Sequence, residues 1–163
     1  MQDFSNLLRL LLENKIEFVL IGGMAAVVHG ASQVTEDIDI CAAIDPKQVE
    51  KLRACLRELH PKHRMTSQKL SFIEFPEETG NLKNLYLQTD WGILDVIGTV
   101  TGVGDYDAVL QSSVEIELFG VPCKVLGIEG LISAKQALGR EKDLATVREL
   151  KAIRKLQEEK GKN

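Results

Sequence analysis

Two aspartates stand two residues apart in Asp37-Ile38-Asp39-Ile40, and a third, Asp95, interrupts the apolar run Ile93-Leu94-Asp95-Val96-Ile97. Side chains alternate faces along a strand, so Asp37 and Asp39 share one face while Ile38 and Ile40 point into a core. Carboxylates side by side repel, and unaided one of them is pushed toward protonation. A bound divalent cation removes that penalty. The competing reading is a strand edge where both carboxylates sit in water. Aspartate is disfavoured in strands, and here the pair is embedded between Thr35 and the apolar Ile40-Cys41, which favours a functional pair. Asp95 adds weight, because a buried, unpaired carboxylate costs on the order of several kcal/mol. A metal shared with Asp37 and Asp39 would partner it. So would an ordinary hydrogen bond or a place at the sheet edge.

Thirteen residues separate Gly22-Gly23 from Asp37. Glycines between a strand and a helix let a phosphate approach the backbone, and the helix start behind them favours negative charge. A plain tight turn uses the same two residues. Taken together, an anion cradle facing three carboxylates is equipment for moving a nucleotidyl group with Mg²⁺. One ion activates the attacking oxygen, and a second holds the triphosphate and the leaving group.

These residues need elements to position them. Phe4, Leu7, Leu8, Leu11 and Leu12 recur at helical spacing over residues 3–14. Glu17 to Ile21 reads as a short buried strand, and Met24 to His29 as a small apolar helix closed by Gly30. A strand around Ile38 to Cys41 leads into a helix opened by Pro46 and running to about Leu59. Residues 69–75 and 84–89 predict strands around a polar loop, Pro76 to Asn81. A strand over Ile93 to Ile97 follows. Residues 113–118 and 121–126 alternate around Gly120 as a hairpin. Helices over Ile128 to Leu138 and from about Glu141 to Leu156 close the chain. The pattern is α/β: a mixed β-sheet flanked by helices, with C-terminal helices.

Composition sets the frame. The chain has 163 residues, of which 44% are hydrophobic and 27% charged, with 4 Pro and 13 Gly, so neither a disordered nor a fibrous chain fits. One domain is expected, with a core over about residues 16–126 and C-terminal helices over about 128–158. No apolar run reaches the roughly 18 residues of a membrane span. Met1-Gln2-Asp3-Phe4-Ser5 lacks the positive start of a signal peptide. The expectation is a soluble, cytoplasmic protein. The net charge of −4 is uneven. From Arg140 onward, 8 Lys+Arg stand against 5 Asp+Glu, while the preceding 139 residues hold 12 against 19. An acidic body with a basic tail argues against a general nucleic-acid coat protein. The tail either meets something anionic or is a solvated helix. Cys41, Cys55 and Cys123 form no C-x-x-C and no even set, so neither a disulfide framework nor a zinc site is indicated.

The run Gly22-Gly23-x13-Asp37-Ile38-Asp39-Ile40 resembles the signature of the nucleotidyltransferase superfamily, whose fold is shared with DNA polymerase beta. The segment Phe18 to Gly30, with Thr35 to Asp39 after it, is more closely similar to small bacterial stand-alone members, including relatives of the abortive-infection toxin type. Leu94-Asp95-Val96 resembles the strand bearing the third carboxylate. Gly120 to Leu126, Leu131 to Lys135 and Gly139 to Asp143 resemble the closing hairpin and C-terminal helices. The similarity spans about residues 16–150. It implies that Gly22 and Gly23 contact NTP phosphates and that Asp37 and Asp39 hold two Mg²⁺ ions, with Mn²⁺ as a substitute. Asp95 would complete one metal site and help deprotonate an acceptor hydroxyl. Lys135, Arg140 and Lys142 would face the triphosphate or an anionic acceptor. Asp143 would orient one of those cations or cap the last helix. Two positions depart from the pattern: Gln33, where many relatives carry Arg, and Thr146, where some carry Asp.

Other candidates carry less. His60 and His63 read as an exposed linker rather than metal ligands. His29 reads as a capping or packing residue. Gly102-Val103-Gly104 lacks the third glycine of a dinucleotide fingerprint and reads as a turn, and no G-x-S-x-G or Walker A run occurs. Tyr86 and Trp91 read as packing residues, although an aromatic could stack on a base. The expected activity is transfer of a nucleoside monophosphate from an NTP to a hydroxyl on a protein, an RNA such as tRNA, or a small molecule, an antibiotic or sugar among them. The alternative is a nucleotide-binding regulatory module that pairs with a partner protein, as in a toxin–antitoxin pair.

Overall fold

Leu7, Leu8 and Leu11 are buried along one side of the first helix, α1 (Phe4–Glu13), whose Asp3 side chain accepts the Asn6 N–H at 3.2 Å. That carboxylate satisfies one of the donors a helix start leaves free. The computed structural model describes residues 2–75 and 82–161. From α1 the chain enters β1 (Val19–Ile21), all three residues buried, and turns at once into α2 (Gly22–Val28). β2 (Asp37–Cys41) follows, then α3 (Pro46–Leu56) and a 3₁₀ turn, Arg57–Leu59. Pro46 sits in the first turn of α3, and Asp45 caps it by accepting the Gln48 N–H at 2.8 Å.

Next come β3 (Lys62–His63), β4 (Asn84–Thr89) and β5 (Gly92–Ile97). A two-residue pair, β6 (Thr99–Val100) and β7 (Gly104–Asp105), forms a small separate ribbon, with Gly102 in its turn. α4 (Tyr106–Gln111) is capped by Asp105. β8 (Ser113–Leu118) and β9 (Val121–Leu126) form the expected hairpin. α5 (Ile128–Leu138) ends at Gly139 with φ +66, and α6 (Glu141–Gly161) follows.

The main sheet has seven strands in the order β3-β4-β5-β2-β1-β9-β8. β2 runs parallel to β5, and β1 parallel to β9; the other neighbours are antiparallel. The expected mixed sheet flanked by helices is present. In the described residues no helix is long and apolar enough to cross a membrane.

Two expectations are corrected here. Residues 69–75 do not form a strand. Ser71 makes one isolated bridge to Lys62, and its hydroxyl then accepts the N–H groups of Ile73 and Glu74 at 3.2 and 3.4 Å. A serine that bonds its own following backbone bends the chain into a turn, and Phe72 is buried beneath it. The pairing on the outer edge of β4 comes from β3 instead. The polar loop Pro76 to Asn81 lies outside the described residues. His60 to His63 is not an exposed linker either. His63 is buried in β3 with Nε2 2.7 Å from Phe75 O, while exposed His60 pairs with Asp90 at 2.7 Å.

Candidate active site

The parallel pairing of β2 and β5 places Asp39 directly beside Asp95, with Asp37 beside Ile93. One oxygen from each of Asp37, Asp39 and Asp95 lies within 4.8 Å of the others. Ile38 and Ile40, on the opposite face, are fully buried, which fixes the register that aims the aspartates together. Burial pushes the Asp39 carboxyl up from 3.8 to about 7, and the charges of Asp37 and Asp95 add to the rise; Lys135 and Arg64 oppose it. Asp95 is also raised by burial, against the pull of Arg64. A hard, all-oxygen donor set with surplus negative charge fits a divalent cation such as Mg²⁺ or Mn²⁺.

The glycine pair is required by its immediate packing. Gly22 has φ +68, and a Cβ on it would stand 2.5 Å from Asp39 Oδ2. A Cβ on Gly23 would run into the side chains of Gln33 and Thr35. These glycines form the first turn of α2 and let Asp39 and Gln33 close over the backbone. Gly23 also lines a cavity of about 670 Å³, together with Asp37, Asp39, Lys135, Arg140 and Lys142. A second cavity, of about 370 Å³, holds Gly22 and shares Asp39, Lys135 and Arg140 with the first. Tyr86 and Asn84 line that second space. Tyr86 therefore faces a cavity rather than serving as packing alone.

The cations come from the last two helices and the turn between them. Asp143 is 1% exposed and accepts a fork from Arg140, Nε at 2.6 Å and Nη2 at 3.2 Å. Lys135 Nζ stands 3.6 Å from the same carboxylate. Asp143 thus holds two cations at the meeting point of the cavities, and Arg140 keeps its carboxyl below the usual range. Lys142 is exposed at the large cavity. Further along the basic tail, Arg154 pairs with Glu129 at 2.9 Å, and Lys151, Lys155 and Lys160 are exposed.

Two contacts at the site, made by Arg64 and Ser32, carried no signal in the sequence, and a third joins two residues whose pairing the sequence did not show. Arg64 donates through Nε and Nη2 to both oxygens of Asp95, at 3.0 and 2.6 Å. Ser32 donates from N and Oγ to Glu149, both at 2.7 Å. Gln33 and Thr146 meet at the large cavity, where the Thr146 hydroxyl donates to Gln33 Oε1 at 3.1 Å. The two departures from the superfamily pattern thus form one neutral pair. His29 ends α2 and donates from Nε2 to Leu126 O at 2.8 Å, in keeping with a capping role.

No protein-family model matches the chain, and no curated protein does. Solved structures do match. The aminoglycoside enzyme ANT(2″)-Ia, in complex with adenylyl-2″-tobramycin, superposes with a TM-score of 0.56 at 14% identity, over 96% of this chain and 95% of that one. A candidate nucleotidyltransferase from Thermotoga maritima superposes with a TM-score of 0.51 at 18% identity, over 98% of this chain and 96% of that one. Identity this low speaks for architecture only, and on that evidence the chain has a nucleotidyltransferase-like fold.

Proposed function

We propose that this protein transfers a nucleoside monophosphate from an NTP to an acceptor hydroxyl. The observation that carries the reading is the convergence of Asp37, Asp39 and Asp95 where β2 and β5 run side by side, in a fold found among nucleotidyltransferases. A divalent cation, when bound there, would offset the triphosphate charge and make the acceptor oxygen more reactive. Asp37, Asp39 and Asp95 would hold it. Lys135, Arg140 and Lys142 face the same space and would bind the phosphates, with Gly22 and Gly23 letting the chain pass close to them. The acceptor oxygen forms a bond to the α-phosphorus, pyrophosphate leaves, and the hydroxyl proton passes to a carboxylate, with Asp95 the proposed acceptor of it.

The cation cluster supports the triphosphate in the large cavity, since Lys142 lines that space and not the smaller one. The neighbour ANT(2″)-Ia was solved with an adenylylated aminoglycoside, which supports a small-molecule acceptor as the first class to test. Soluble, cytoplasmic residence belongs to the same proposal, and a nucleotide-binding regulatory module that pairs with a partner protein, as in a toxin–antitoxin pair, is the alternative to it.

Thermal melting with ATP, CTP, GTP and UTP, each with and without Mg²⁺, tests the donor site. A nucleotide at 100 times its dissociation constant stabilises by about 2.7 kcal/mol, or roughly 5–10 °C for a chain of this size. The expected result is a shift with at least one NTP that needs Mg²⁺ and is absent in Asp39→Ala. If no nucleotide shifts the wild type, the transferase reading falls.

A further inference from the structure

Arg64 reaches the site from outside every motif. It follows β3 directly, and its N–H donates to Tyr86 O at 3.0 Å, extending the ladder along β4. The residue before it, His63, is buried, bonded to Phe75 O, and edge-on to the Phe72 ring at 5.6 Å. The backbone under Arg64 is therefore anchored. The side chain is held as well. Its guanidinium lies 5.4 Å from the centre of the Tyr86 ring, and Nη1 is 3.2 Å from Met65 Sδ. Tyr86 is the cross-strand partner of Asp95 in the β4–β5 register, so ring, guanidinium and carboxylate stand together on one face.

A carboxylate offers about four lone-pair directions. Arg64 occupies one on each oxygen of Asp95, and a ligand oxygen of Asp95 still lies within 4.8 Å of those of Asp37 and Asp39. Three like charges this close turn away from one another unless something fixes them. A planar fork is suited to that task, because it sets angle as well as distance.

We propose that Arg64 is a positioning residue for a divalent cation: it clamps Asp95 by one edge so that the carboxylate faces a common ion with Asp37 and Asp39. This rests on the metal-site reading above. The rival accounts predict different signs. If Arg64 acted through charge alone it would repel the ion, and its removal would tighten binding. If it were an ordinary buried ion pair, its loss would weaken the fold and leave metal affinity unchanged. If it positions Asp95, its loss weakens metal binding, as loss of an outer partner of a ligand generally does.

The test is a Mn²⁺ titration of the nucleotide-free full chain, with free Mn²⁺ read by electron paramagnetic resonance. The set is wild type, Arg64→Gln, Arg64→Lys, Asp95→Asn, Asp39→Asn and the double variant Arg64→Gln with Asp95→Asn. Arg64→Gln is expected to loosen Mn²⁺ by about 10–100-fold. Arg64→Lys keeps the charge but not the fork and is expected to lose a smaller factor. In the Asp95→Asn background, Arg64→Gln is expected to add nothing. The proposal is overturned if both Arg64 variants bind as tightly as wild type or more tightly. It is also overturned if Arg64→Gln loosens binding as much without Asp95 as with it. Circular dichroism checks folding, and if Arg64→Gln does not fold, Arg64→Lys decides. A wild type that binds no Mn²⁺, or an Asp39→Asn that binds as wild type does, removes the metal-site reading and the proposal with it. A site that needs Asp39 but ignores Arg64 removes the proposal alone.

Discussion

Asp39 lies between the two cavities, flanked by two other carboxylates and so close to Gly22 that a Cβ there would collide with it. Its pKa rises from 3.8 to about 7, mostly through burial. An acid whose folded value lies above its unfolded one favours the native state while protonated, so stability falls as pH rises from about 4 toward 7. Metal-free protein is therefore expected to melt lower at pH 8 than at pH 5 in EDTA. Asp39→Asn keeps the shape without the charge and is expected to flatten that slope and to melt higher than wild type at pH 8. Parallel curves for the two proteins would show that the ionised carboxylate carries no native-state penalty. The same surplus charge that costs stability is what a divalent ion would neutralise, so stability and ion affinity pull in opposite directions at this residue.

The junction of α5 and α6 does for the cations what β2 and β5 do for the carboxylates. Gly139 ends α5 in the left-handed region, the chain reverses, and Asp143 in the first turn of α6 reaches back to Arg140 and Lys135. Asp143→Asn is expected to destabilise by about 1–3 kcal/mol at pH 7, since it leaves buried charge-assisted hydrogen bonds unmade. Because the Asp143 carboxyl is lowered in the fold, its contribution is present above the ordinary value of 3.8 and is lost as pH falls through the native value below that. Urea unfolding at pH 7 and near pH 3 should show the difference between wild type and variant shrinking. The local signs of these elements were in the sequence: Asp-x-Asp alternation, a glycine after the last apolar helical residue, and alternation either side of Gly120. Pairings across elements were not. Arg64 lies 31 positions from Asp95, and Gln33 lies 113 from Thr146, and no periodicity links such residues. Residues 69–75 resemble a strand because Leu70 and Phe72 alternate with Lys69 and Ser71, while the hydroxyl of Ser71 decides the backbone path.

At the scale of the molecule, the sheet joins segments that are remote in sequence. Asp39 and Asp95 are 56 positions apart, and Leu20 pairs with Val125 across 105. The seven-strand order cannot close until β5 has entered between β4 and β2 and β9 has come beside β1. Contacts at such separation form slowly, because loop closure precedes the energy they return. The three carboxylates are expected to come together only with that step, because Asp95 meets Asp37 and Asp39 through the β2–β5 pairing. An ion that binds only the finished sheet slows the escape from it and leaves the approach to it unchanged. Stopped-flow measurements across a urea series should therefore show saturating Mn²⁺ lowering the unfolding rate while the refolding rate stays the same. An accelerated refolding limb would mean that β2 and β5 meet before the rate-limiting step. If the triad holds an ion as proposed, the lifetime of the native state would follow the free ion concentration around it, so the time the protein survives between unfolding events would depend on its surroundings as well as on its own core.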